Sequence, residues 1–181
     1  MSVPIPRLFC AAGTKRGLLG LAALTLVCGA AMLPAMATMA TMADHGASLL
    51  EFESAGSVAR SQGIVAEWGS AGKSAMWWQL ALDLPFLIGY GLFLAGACAA
   101  VARRASSRDM PRLERAAAAL AWLGPLAAAS DLLQNISLAF VLSGHVAQPW
   151  PRISAVGGQV TLALGLTAAL FALIGTFATR R

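Results

Sequence analysis

Four apolar stretches, at approximately 17–37, 75–102, 115–143 and 153–178, constrain this chain more than any other feature. Leu, Ala, Val, Phe and Gly fill them in continuous runs, each long enough to supply the about 20 helical residues that a hydrocarbon core requires. None shows the strict apolar and polar alternation of a barrel strand. A backbone in lipid must also satisfy its own N–H and C=O groups, so helices are the expectation. Composition agrees, because 58% of the residues are hydrophobic and 12% charged, against about 45–50% and about 25% in soluble domains. A soluble core of that apolar content would need a longer chain with more polar cover. The reading is an all-α integral membrane four-helix bundle, one membrane domain over 1–181, with an outer loop at 38–74.

Positive charge sets the expected orientation, since short loops rich in Lys and Arg stay in the cytoplasm. Arg7, Lys15 and Arg16 precede the first run, Arg103, Arg104, Arg108, Arg112 and Arg115 occupy the second connection, and Arg180 and Arg181 end the chain. Only Arg60, Lys73 and Arg152 fall in the other two connections, where Asp44, Glu51, Glu53 and Glu67 also lie. Both termini are expected in the cytoplasm, with the protein multi-pass in a bacterial inner membrane. The net charge of +5 is spread over separate short segments without interleaved aromatics, which argues against a nucleic-acid partner. The expected partners are the lipid bilayer and either a second copy of the chain or another membrane protein.

The N-terminal run is ambiguous, because a basic start followed by LLGLAALTLVCGAAML and PAMATMATMA could be a cleaved signal peptide. The run from Gly17 to Leu33 is longer than the about 7–15 residues of a signal core, so a retained span is expected. Cys10, Cys28 and Cys98 have no near partner in sequence, and 38–74 contains no Cys, which sets aside a thiol oxidase.

In the outer loop, SLLEFESAGSVARSQGIVAEWG places Leu49, Leu50, Phe52, Val58, Ile64, Val65 and Trp68 at mostly helical spacing, broken near Gly56. An amphipathic helix along the membrane surface is expected, either as a lid on the bundle or as a docking surface. Trp68, Trp77 and Trp78 would sit at headgroup level.

Polar residues inside the apolar runs mark the candidate site. Asp131, Gln134 and Asn135 stand at i, i+3 and i+4 and share one helix face, as do Gln79, Asp83 and Tyr90 on the second run. At about 1.5 Å per residue, Asp83 lies about 12 Å from Ala75 and Asn135 about 12 Å from Ser143, so the two groups overlap in depth. Gln159 lies about 9 Å from the outer end of the fourth run and can join them. Ionised groups at such depth are costly and usually face the interior. Two carboxylates there would raise each other's proton affinity, so one is expected to donate to the other or to Asn135.

Together, the outer segment ending in Trp68, the span LDLPFLIGY and the later DLLQN resemble a family of small bacterial four-span membrane proteins. That family shares an L-D-x-x-F-x-x-x-Y span and a D-x-x-[EQ]-N span. The resemblance covers roughly 45–145 and implies Glu51, Trp68, Asp83, Phe86, Tyr90, Asp131 and Asn135 as matching positions, with Gln134 where Glu is often found. It implies no activity, cofactor or substrate.

The cluster therefore carries three readings: a hydrogen-bonded clamp in a structural or accessory protein, a proton- or cation-linked transport site, and a binding site for a lipid or other apolar small molecule. No nucleophile with its base, Gly-rich phosphate loop or paired Cys is visible, so no catalytic residues or cofactor are expected. His45 and His145, with Asp44 or Glu51, match no compact metal site.

Overall fold

A computed structural model describes residues 5–42, 48–145 and 147–180. The described residues are all-helical, without a strand: α1 (Arg7–Ala12), α2 (Lys15–Met42), α3 (Leu49–Glu53), α4 (Val58–Ser106), α5 (Pro111–Leu120), α6 (Leu123–Leu142) and α7 (Trp150–Ala178). Four stretches are long and apolar enough to cross a membrane, namely Lys15–Thr41, Val58–Ser106, Pro111–Leu142 and Trp150–Ala178. They overlap the four apolar runs, the first two extending past them at both ends and the last two at their N-terminal ends.

Local chemistry explains where the helices break. Gly69 has φ 58° and ψ −154° and parts a first limb of α4 from its long apolar remainder. That region is almost closed to a residue with a Cβ. The limb therefore joins the second apolar run through one glycine instead of a loop reaching Ala75. The surface helix expected over the outer loop is divided as well, since Gly56 at φ +65° separates α3 from α4. In the third run, Pro125 follows the junction of α5 and α6. It offers no N–H to the Ala121 carbonyl, and its ring crowds that carbonyl, so the helix resets between Leu120 and Leu123.

The chain forms two compact units. The first comprises Met1–Thr25, Leu87–Ala128 and Thr161–Arg181. Its core is one aromatic ring among small side chains: Ala95, Cys98 and Ala99 of α4 pack with Phe9, Ala121 and Ala172. A Cβ added to Gly124 would strike the Gly91 carbonyl, so α4 and α6 approach each other through glycine. Glycine and alanine at these positions allow close helix packing. Arg103 of α4 donates to the Gly13 carbonyl at 2.6 Å, fastening the α1–α2 turn.

The second unit comprises Leu26–Phe86 and Ala129–Val160. Its core is bulkier, with Met39, Phe52, Ile64, Trp68, Met76, Leu80, Leu138 and Val141 in one cluster. Trp68 does not face outward as an interfacial tryptophan would; it is 1% exposed. Its ring meets Phe52 edge-on, with centroids 4.9 Å apart at 60°. Trp77 and Trp78 remain 45% and 66% exposed.

Candidate functional site

The polar residues of the second unit converge where α3, α4, α6 and α7 come together. Asn135 of α6 donates through Nδ2 to Asp83 Oδ2 of α4 at 2.5 Å. One face of α6 carries Asp131, Gln134 and Asn135, as their spacing requires. On its α7 side, Ser130 donates to the Gly157 carbonyl at 3.0 Å. Gly157 and Gly158 let α7 close on Gln134, since a Cβ on Gly158 would lie 3.2 Å from both amide atoms. Gln134 is thereby buried to 4% exposure.

The outer loop supplies the group that completes this cluster. Helix α3 starts with a capping box in which Ser48 and Glu51 each accept from the other's backbone N–H. The box fixes five residues of helix and turns Phe52 into the core against Trp68. The following residue, Glu53, is held by its carbonyl, which accepts from Ser154 Oγ of α7 at 3.0 Å. Its carboxyl lies near enough to Asp131, Asp83 and the Gln134 amide for all three to act on its proton affinity. Burial, reinforced by the charges of Asp131 and then Asp83, pushes the Glu53 carboxyl up to about 7, with Gln134 opposing the rise. A carboxyl at this value exchanges its proton near neutrality. Gln79, one helical turn from Asp83 on the same face, is 8% exposed, and its Oε1 is buried without a hydrogen-bond partner.

The residues singled out in the sequence divide accordingly. Asp83, Asp131, Gln134 and Asn135 belong to the cluster, and Gln79 borders it. Gln159 is exposed and does not join; α7 reaches the cluster through Gly157, Gly158 and Ser154 instead. Tyr90 is half-buried and falls in the other compact unit. Glu51 is occupied in capping α3 and in an exposed ion pair with Arg60 at 3.2 Å. Phe52 and Trp68 are core residues that anchor α3.

Glu53 is the residue the sequence reading missed. The signal was present in S-L-L-E, which has the Ser-x-x-Glu form of a capping box and assigns Glu51 to the backbone of α3. That assignment leaves Glu53, two positions on, available for another role.

Asp44 and His45 lie outside the described residues, and the His145 ring packs near Phe140. Among the described residues no three His, Cys, Asp or Glu side chains are grouped to hold a metal ion. What the cluster can do is hold a proton on the Glu53 carboxyl and keep α4, α6, α7 and the outer loop in register. Comparison with protein-family models, curated proteins and solved structures gives no match to this chain.

Proposed function

We propose that this chain is a multi-pass protein of the bacterial inner membrane, a four-helix bundle with both termini cytoplasmic, and that its role is structural or accessory. The carboxylate and amide cluster is a clamp that fastens the outer loop to the spans. We place the chain with the small bacterial four-span proteins it resembles, whose D-x-x-[EQ]-N motif contributes to the cluster. The observation that carries this reading is the bond from Asn135 to Asp83 between two apolar helices, joined by Glu53 from the loop.

Surface chemistry supports the membrane assignment. Large apolar side chains such as Leu26, Val27, Leu162, Leu173 and Ile174 stand exposed along α2 and α7. Exposed apolar side chains in such number suit lipid and would promote aggregation in water. In the bilayer, hydrogen bonds between helices contribute about 0.6–2 kcal/mol each, enough to fix register.

Two measurements test the proposal. In a cysteine-free background, a thiol reagent that cannot cross the membrane should modify an exposed probe at Gln62→Cys from outside and miss one at Ser107→Cys. Labelling of the latter alone would reverse the orientation. For the clamp, a double-mutant cycle of Asp83→Leu and Asn135→Leu should give a coupling of about 0.6–2 kcal/mol. Strict additivity would remove it.

A second reading, proton-linked transport, is favoured by the gathering of three carboxyls, Glu53, Asp83 and Asp131, where burial pushes Glu53 up to about 7. It requires proton flux in proteoliposomes that falls to the empty-vesicle rate when Asp83→Asn and Asp131→Asn are combined. Equal flux with and without protein leaves the structural role standing alone.

A further inference from the structure

Beyond the clamp, the outer part of α4 carries a groove of about 580 Å³ lined by Ser70, Lys73, Ser74, Trp77, Trp78 and Ala81. These positions recur at helical spacing and share one face, so the lining changes in order along the axis. One ammonium and two hydroxyls come first, two indoles follow, and an apolar methyl ends the series about 16 Å further on. Lys73 makes no ion pair among the described residues. No carboxylate lines the groove, so its polar end offers hydrogen-bond donors and positive charge without a competing anion.

Trp78 also borders a second groove, of about 280 Å³, whose other walls include Ala31 and Ala35 of α2 and Leu82 of α4. That groove is apolar apart from Thr38, whose hydroxyl is already donated to the Pro34 carbonyl at 2.9 Å. A donor-lined cationic recess and an apolar channel therefore meet at one exposed tryptophan. Free phosphate would use only the first, and a neutral hydrocarbon only the second.

We propose that Lys73, with Ser70 and Ser74, binds the phosphodiester of an anionic glycerophospholipid, one of whose acyl chains follows the α2–α4 groove past Trp78. Assigning that lipid to the outer leaflet rests on the proposed orientation; the site itself does not. The phosphate oxygens accept from the ammonium and the two hydroxyls. The indoles pack at the glycerol level, where amphipathic rings are favoured.

The test uses the full chain in nanodiscs that contain equal amounts of phosphatidylglycerol and phosphatidylcholine, followed by native mass spectrometry of the retained lipids. The protein should retain phosphatidylglycerol about fivefold over phosphatidylcholine, the worth of one Lys at an anionic surface. Lys73→Gln should abolish the preference and Lys73→Arg should keep it, with unchanged melting temperatures showing that both variants fold. Dihexanoyl phosphatidylglycerol should compete for the site and inorganic phosphate at the same concentration should not. Equal retention of the two lipids, a preference that survives Lys73→Gln, or competition by phosphate alone overturns the proposal. Reversed labelling of Gln62→Cys and Ser107→Cys would move the lipid to the other leaflet and leave these outcomes unaltered.

Discussion

Trp68→Ala is expected to destabilise the second unit by about 3–5 kcal/mol, the range for deleting a fully buried large aromatic. The ring is almost wholly buried, meets Phe52 edge-on, and sits in the cluster that also holds Met39, Ile64, Met76 and Leu138. It stands immediately before the Gly69 turn, and a Cβ on Gly72 would collide with its Cβ. The space around the indole is therefore shaped by the backbone and will not readily collapse. Phe52→Ala should cost a comparable amount, and the two changes together less than their sum, because each alone already forfeits the ring contact of about 0.5–1.5 kcal/mol. Trp78→Ala should stay within about 0.5 kcal/mol, since its ring is mostly exposed. Unfolding in detergent followed by tryptophan fluorescence, with limited proteolysis of the outer loop as a second readout, compares the three. A Trp68 variant no weaker than the Trp78 variant would mean that α3 has another anchor.

That contrast shows where sequence reasoning stops. The three tryptophans look alike in the chain, and amphipathic spacing assigns all of them to a membrane interface. Their fates differ because the helix kinks at Gly69, and nothing in a hydropathy pattern says which way a limb turns at a positive-φ glycine. The four apolar runs were legible because length and composition alone decide them. The shared depth of Asp83 and Asn135 was legible because both helices have a fixed rise, but the expected donation from a carboxyl to Asn135 is reversed, since the Asn135 amide donates to Asp83. Gln159 was misplaced because depth was counted and helix rotation was not: α7 turns Gly157 and Gly158 toward Gln134, which leaves Gln159 outward. Glu53 escaped because it reaches the cluster through tertiary docking of a five-residue helix, whose direction is set by Phe52 and Ser154 rather than by local periodicity.

Glu53 also makes the docking of α3 depend on pH, in the direction opposite to an ordinary salt-bridged carboxylate. Docked, its carboxyl is raised to about 7 from 4.5, first by burial and then by Asp131 and Asp83. The docked state thus binds the proton more tightly than the undocked one, and protonation favours docking. Its contribution is complete below about pH 4.5, declines as pH rises through the window to about 7, and is constant above it. The swing is at most about 3–4 kcal/mol, because each unit of displacement corresponds to about 1.4 kcal/mol. Glu53→Gln keeps the size and shape of the side chain and removes the titration. It should therefore raise the stability of the second unit at pH 8 and leave it little changed at pH 4.5. Melting curves of the two proteins across that interval, read as the difference between them, cancel every pH effect that both share. Slower proteolysis of the outer loop in the Gln variant at pH 8 would place the gain in α3. A difference that is flat with pH, or one that grows as pH falls, would mean that Glu53 is solvated and that α3 is held by Phe52 and Ser154 alone.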